Sequence, residues 1–410
     1  MTVTNNIIKH LDHIEDLLIY GSKGIDVMCN FLEVLYNYLN GTGTANIKLK
    51  IDGSPAIVAS SDFHGETFVA LKHSWEKGKR FHTEEEIDAE YTDRPDLAEK
   101  LKVLLKNLSF INIPKDEIWM GDFLFTTRKD CIIWNYPGKG DMDCVAFMPN
   151  TVVYTYPLHS DTANQILSSE IGIAWHTKYK GNDFNNLTRS NDVSLSDVNS
   201  TPTVYQMVTD LPERSNFLSD AQNIVFKRLF DELGENVQKL HDDPNYERFL
   251  KDTSLLEKML KYKNDVIKRE QKETGELFCA EEFIKAVDNS LDEHINNLKS
   301  DRGKSLNRAK KEVIDKFLAE CTEMLDNYFK VQEDVIKIKN LCIDELNKSL
   351  GVSMYYAKRN MSDNKVKSYV PCTGEGYVLT DDEGNITKLV NRLDFSYANF
   401  SDDIVKGWSK

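Results

Sequence analysis

The spacing of apolar side chains changes period several times along the chain. Over residues 5–40, Ile7, Ile8, Leu11, Ile14, Leu17 and Leu18 recur at helical intervals until Gly21-Ser22-Lys23-Gly24 interrupts them. Val27, Met28, Phe31, Leu32, Val34, Leu35 and Leu39 then resume the pattern up to Gly41-Thr42-Gly43. This predicts two helices packed ahead of a first strand. Between 46 and 160 the apolar runs shorten to 47–51, 56–60, 67–72, 117–126, 131–135, 144–148 and 151–156, each bounded by turn residues. These predict strands, with one helix at about 96–108 carrying Leu97, Leu101, Leu104, Leu105 and Leu108. A further strand is predicted at 171–179, and the Ser/Asn/Asp-rich stretch 182–201 reads as a linker or long loop.

From 215 to 350 the helical period returns. Val225, Phe226, Leu229 and Leu233 mark one helix, Leu255, Met259 and Val266 a second, Ile284, Val287 and Leu291 a third, and the run from Val313 to Leu346 one or two more. This predicts a bundle of four or five helices with no fixed-period repeat. Strand patterns resume at 369–370, 376–380 and 387–390. The simplest architecture is α+β: an antiparallel-sheet domain interrupted by an inserted helical bundle. The expected divisions are 1–45 for N-terminal helices packed on the sheet core, 46–200 and 356–410 for the two parts of the sheet domain, and 201–355 for the insertion.

Composition narrows the class. With 40% hydrophobic and 29% charged residues, the chain reads as an ordinary globular protein, and no apolar run reaches 18 residues. The opening Met-Thr-Val-Thr-Asn-Asn lacks the pattern of a secretory leader. Seven scattered cysteines (29, 131, 144, 279, 321, 342, 372) form no Cys-x-x-Cys pair, so reduced thiols in a cytoplasm are expected. A net charge of −15 argues against wholesale coating by nucleic acid but leaves room for a local basic groove. Candidates for one are the basic run 299–316 and Arg128-Lys129 with Lys139, although such runs are usually solvated faces.

The chemistry concentrates at 47–59, where two strand-like runs flank Lys50, Asp52 and Gly53. A lysine ending a strand beside a carboxylate is placed for partial burial, which favours the neutral, nucleophilic amine. Asp122 lies inside the apolar run Trp119-Met-Gly-Asp-Phe-Leu-Phe, where a carboxylate is costly unless paired or metal-bound. Glu375 sits between Gly374 and Gly376 at a strand start, and with Asp122 it makes a hard oxygen-donor set suited to Mg²⁺ or Mn²⁺. Lys388 on the last strand is a candidate phosphate ligand. Singly, each has a plain account: a hairpin turn, an Asp bonded to a turn, a surface Glu beside a bulge, a solvated Lys. His176 reads first as a structural histidine, and Trp134, Tyr136 and Phe125 as core aromatics that could instead stack on bases.

In order, Lys-x-Asp-Gly, Gly-Asp-Phe-Leu-Phe, Val145-Ala-Phe-Met, Glu-Gly-Tyr-Val-Leu and a strand lysine resemble the motifs of the covalent nucleotidyltransferases, the superfamily of ATP-dependent DNA and RNA ligases and capping enzymes. The likeness spans roughly 46–160 and 366–395 and is nearest to the phage RNA-ligase form. Several stretches also resemble ligase-like proteins of tailed phages, among them the His10-Leu-Asp-His segment, Met148-Pro-Asn-Thr and Trp175-His-Thr-Lys-Tyr. The resemblance implies an adenylation fold in which Lys50 attacks the α-phosphate of ATP to form lysyl-AMP. Asp52 would orient the lysine or ribose, and Lys48, Gly53 and Lys72 would join the nucleotide contacts. Asp122, where the superfamily more often has Glu, would contact ribose or metal. Phe147 would stack on the base, Glu375 would bind Mg²⁺ or Mn²⁺, and Lys388 would hold the α-phosphate. AMP would pass to a 5′-phosphate and a 3′-hydroxyl would displace it, so the implied partner is nucleic acid with such ends, with no membrane and a monomer sufficing. The alternatives within reach are a capping-type guanylyltransferase and a degenerate fold that only binds nucleic acid. The chain departs from the pattern at Pro55, where DNA ligases carry Arg, and at Lys388-Leu-Val390, where the second lysine is missing and Arg392 is the substitute at hand. Only 22 residues follow Lys388, too few for the C-terminal OB-fold of DNA ligases and capping enzymes.

Overall fold

A strand covered on both faces reads as an unbroken apolar run, and the computed structural model has this arrangement around 56–71 and 117–125. The structure describes residues 11–126, 130–136, 140–181, 183–184, 186–190, 193, 201–207, 209–211, 217–269, 277–359 and 366–407. The chain folds as α+β with largely antiparallel sheets. It divides into two interleaved units.

One unit comprises Lys48–Pro212, Leu350–Glu375 and Ser401–Lys410. Its first sheet has the order Val204–Gln206, Ile171–Lys180, Glu117–Phe125, Ala56–Phe63, Glu66–Leu71, with Thr188–Ser190 added on Ile171–Lys180. Only Val204–Gln206 runs parallel to its neighbour. On one face Ile57, Val69, Trp119 and Ile173 pack with Leu97, Leu101 and Leu104 of the helix Pro95–Asn107. That helix opens with Pro at its first turn, where no intrahelical N–H is lost. On the other face Val58, Phe63, Phe68, Ile118 and Met120 are buried under Trp75, Tyr179 and Phe184.

The second sheet is antiparallel throughout, in the order Val366–Pro371, Ser353–Arg359, Val152–Pro157, Gly140–Phe147, Asp130–Tyr136. Ser353–Arg359 pairs with Val152–Pro157, Ser353 opposite Thr155 and Tyr356 opposite Val152. The apolar pattern does not announce this strand: the predicted end of the insertion, 355, falls inside it.

The other unit comprises Met1–Ile47, Glu213–Ser349 and Gly376–Phe400. Its helices include Ser22–Asn40, Asp220–Asp242, Thr253–Arg269, Ala280–Asn297, Asp301–Glu320 and Thr322–Asn347. No described helix is long and apolar enough to cross a membrane. Two expectations change here. The N-terminal segment groups with 213–349 rather than with the sheets, and so does the hairpin formed by Tyr377–Thr380 and Ile386–Leu389.

The cause is polar as well as apolar. The segment's Asp12 carbonyl accepts the Lys388 N–H and the Thr387 hydroxyl, both at 3.0 Å. Of its next acids, the buried Glu15 meets Lys339 at 2.8 Å, and the half-buried Asp16 meets Lys263 and, at 3.3 Å, Arg392. Arg392 also donates to Asn264, and Gln332 donates to the Glu15 carbonyl at 3.0 Å. Each buried charge therefore has a partner of opposite sign.

His13 adjoins this cluster. Burial first, then the charges of Arg392, Lys388, Lys339 and Lys263, hold its imidazole well below 6.5. A folded pKa below the unfolded one means that His13 is neutral when folded and takes up a proton on unfolding under acid conditions. Its contribution is complete above about pH 6.5 and is lost as the pH falls below that value. The expected slope approaches about 1.4 kcal/mol per pH unit. Denaturant melts on either side of pH 6.5 should show a shallower slope for His13→Asn than for the wild type; equal slopes would remove this assignment.

Candidate active site

Lys50 follows directly on the strand Asn46–Leu49, whose last residue donates its N–H to the Thr209 carbonyl at 2.6 Å. The chain then lies flat against Glu117–Phe125: Ser54 N–H donates to Phe123 O at 3.0 Å and Phe123 N–H to Pro55 O at 3.2 Å. Gly53 makes this approach feasible. A Cβ there would lie 2.2 Å from the Phe123 carbonyl oxygen and 2.7 Å from Asp122 Cβ. Gly53→Ala must push two backbones apart, at a cost of about 1–3 kcal/mol. A thermal melt matching wild type would show that the turn relaxes freely.

The turn brings three carboxylates around one amine. Lys50 Nζ bonds to Asp52 Oδ1 and lies 3.8 Å from Glu375 Oε2, and the Asp52 N–H donates to that same Glu375 oxygen. Glu375 is 0% exposed and its Oε1 has no hydrogen-bond partner among the described residues. It is flanked by Gly374 (φ +74°) and Gly376 (φ +87°), conformations that glycine adopts without strain. At Gly374 a Cβ would also strike Met354 Sδ, 2.4 Å away. Burial, then the neighbouring Asp52 charge, raise Glu375 well above the usual carboxylate range, against the pull of Lys50. Asp122, opposite Ala56 and Ala174 in the sheet, is raised to about 7 by burial and then by Asp52. Lys50, the Gly53 N–H and Lys72 oppose that rise. Lys72 itself is exposed, at the start of the short helix Lys72–Trp75.

Two further side chains complete the site. His176 Nε2 lies 3.6 Å from Asp122 Oδ2, and packing around the ring and then the Arg189 guanidinium lower the imidazole to about 4. The buried Tyr154 phenol is raised well above 10 by burial and then by the charge of Glu375. His176 is within reach of sequence reasoning through its place beside Trp175. Tyr154 carries no signal beyond its apolar strand.

A family model matches residues 5–403, nearly the whole chain. The chain belongs to the family of unknown function DUF6267. Comparison with curated proteins and with solved structures gives no match.

In this DUF6267 chain Lys48 and Phe147 have surroundings other than those expected. Lys48 is buried and committed to the Val193 carbonyl at 2.7 Å and Asp210 at 2.8 Å, so its amine braces a loop instead of facing Lys50. Phe147 is 0% exposed and enclosed by Phe125, Tyr154 and Tyr156, so it has no face open to a base. Phe125 is likewise core. A cavity of about 250 Å³ that begins at Leu49 is lined by Tyr156 and Tyr205 and bounded by Gln206, Met207 and Asp210. Lys388 and Arg392 belong to the other unit, where Arg392 is engaged by Asp16 and Asn264. Arg128, Lys129 and Lys139, and the side chains of Trp134 and Tyr136, lie outside the described residues.

The site's charge suits a hard cation. Three carboxylates surround one lysine, two of them are raised, and a buried carboxylate oxygen is unpartnered among the described residues. Among the described residues no three His, Cys, Asp or Glu side chains converge as a ready-made cage. Mg²⁺ needs none, since it is commonly held by one or two carboxylates with water and substrate phosphate filling the rest.

Proposed function

We propose that this chain is an ATP-dependent polynucleotide ligase that works through a lysyl-AMP intermediate on Lys50. The observation that carries the reading is the convergence of Lys50, Asp52, Asp122 and Glu375, from segments up to 325 positions apart, on one half-buried amine. The order of the motifs along the sequence supports it independently.

In this reading the Lys50 amine attacks the α-phosphorus of ATP, a P–N bond forms and pyrophosphate leaves. Asp52 aims the amine through its direct bond, and Glu375 fixes Asp52 through the backbone N–H. The cavity beginning at Leu49 offers Tyr156 and Tyr205 to the base, in place of Phe147. A divalent cation held by Glu375 and Asp122 would neutralise the nonbridging oxygens during transfer. Lys72, which is exposed and whose charge acts on Asp122, would meet an incoming phosphate. The 5′-phosphate of a polynucleotide then takes AMP from Lys50, and a 3′-hydroxyl attacks that phosphate and expels AMP.

The test is covalent labelling. Wild-type protein incubated with α-labelled ATP and Mg²⁺ should keep label after denaturation, on the peptide that contains Lys50. Label from GTP alone would move the assignment to a capping-type transferase. No label from ATP, GTP or NAD would end the proposal.

A further inference from the structure

The helix Asp301–Glu320 has an outer face with an unusual composition. Among its residues only Leu318 is buried. Arg302, Leu306, Lys310, Val313 and Phe317 follow one another at helical intervals of three or four and share one stripe. Leu306 is 58% exposed and Val313 70%. The inner Lys311 is committed to Asp288, to Asp292 at 3.2 Å and to Asp315 at 3.8 Å. Arg302, Arg308, Lys310 and Lys316 are exposed and have no ion-pair partner among the described residues.

Beside the stripe is an open cavity of about 430 Å³ lined by Val313, Ile314 and Phe317 with Arg248, Lys251, Asp252 and Thr253. Arg248 stacks on the Phe317 ring, 4.3 Å from its centroid, and is held there by Glu320 at 3.3 Å. Two unpaired cations on the stripe, Arg302 and Lys310, with Lys316 beside it and a cavity that holds an aromatic ring and a flat guanidinium next to it, combine a track for phosphates with a platform for bases. The chain as a whole carries −15, so a polyanion is repelled by most of its surface and drawn to a patch of this sign.

We infer that this face, from Arg302 to Phe317 with Arg248 and Lys251, is a docking surface for single-stranded nucleic acid. The inference takes the nature of the strand from the ligase reading, while the surface stands on its own geometry. An acidic amphipathic protein segment would meet the same cations and aliphatic residues; the stacked Arg248–Phe317 pair favours a strand of bases.

The experiment uses the full chain and a 5′-phosphorylated single-stranded oligonucleotide, RNA or DNA, followed by fluorescence anisotropy across a salt series. The variant is Lys310→Gln with Lys316→Gln; both residues are exposed and unpaired among the described residues, and the melting temperature should match wild type. Binding should weaken about tenfold or more, and the salt slope should fall by about 1.4, since each lost single-strand phosphate contact removes roughly 0.7. Equal binding and equal slope in wild type and variant would overturn the inference. So would absence of strand binding by wild type, or tighter binding of an acidic peptide than of the strand. Loss of strand binding in the variant, with no covalent label on wild-type Lys50 from any nucleotide, would keep the docking surface and discard the ligase reading.

Discussion

Lys50→Arg will take up no covalent nucleotide, a loss of more than about a thousandfold, on the scale expected when a nucleophile is removed. Arginine keeps a positive charge facing Asp52, Glu375 and Asp122, so the surrounding carboxylates remain compensated and the fold should persist. It cannot take part in the chemistry, because a guanidinium stays protonated under all relevant conditions and offers no lone pair. Lys50→Ala tests less, since it also leaves three carboxylates without their central cation and confounds activity with stability. The measurement is label retained after denaturation, paired with a melting curve for the same preparation. Wild-type labelling in Lys50→Arg with an unchanged melt would place the nucleophile elsewhere and remove the basis for the site.

The site is legible in the sequence where residues break a local rule. Asp122 is a carboxylate in an apolar run, Glu375 lies between glycines, and Lys50 ends a strand at a glycine turn. Burial of these groups has a cost that only a partner offsets, so the local sequence around each already points to a partner. Phe147 misleads because position within a motif says nothing about which rings enclose it: Phe125, Tyr154 and Tyr156 arrive from other strands. Lys48 misleads for a similar reason, its partner Asp210 being remote in sequence. Ser353–Arg359 is hidden because Met354-Tyr-Tyr-Ala357 is a short apolar run directly after a long helix, where periodicity does not separate strand from helix. The grouping of the N-terminal segment has no local signal at all. Glu15 and Asp16 look like solvated helix residues, and the lysines that pair with them lie about 250 to 320 positions away.

That buried cluster carries the second large effect. Lys339→Met should destabilise the protein by about 3–5 kcal/mol, the cost of leaving a buried charge without its partner. Lys339 is 0% exposed and Glu15 is buried with it, so water cannot replace the lost ammonium. Burial holds the Lys339 amine below its usual range even with Glu15 beside it, so desolvation is already opposing the pair. Arg392, 3.9 Å from Glu15, is the other cation close to that carboxylate, and it is already engaged by Asp16. The double variant Glu15→Leu/Lys339→Met removes both charges and fills the space with apolar atoms, so it should recover most of the loss. Denaturant melts of the two single variants and the double variant form a closed cycle, and the coupling energy is read directly from it. A single-variant loss below about 1 kcal/mol would mean that the pair is hydrated and stabilises no more than a surface ion pair. A large loss in both single variants with recovery in the double would establish that the N-terminal segment is held to its unit by charge compensation, and that apolar packing alone does not fix it there.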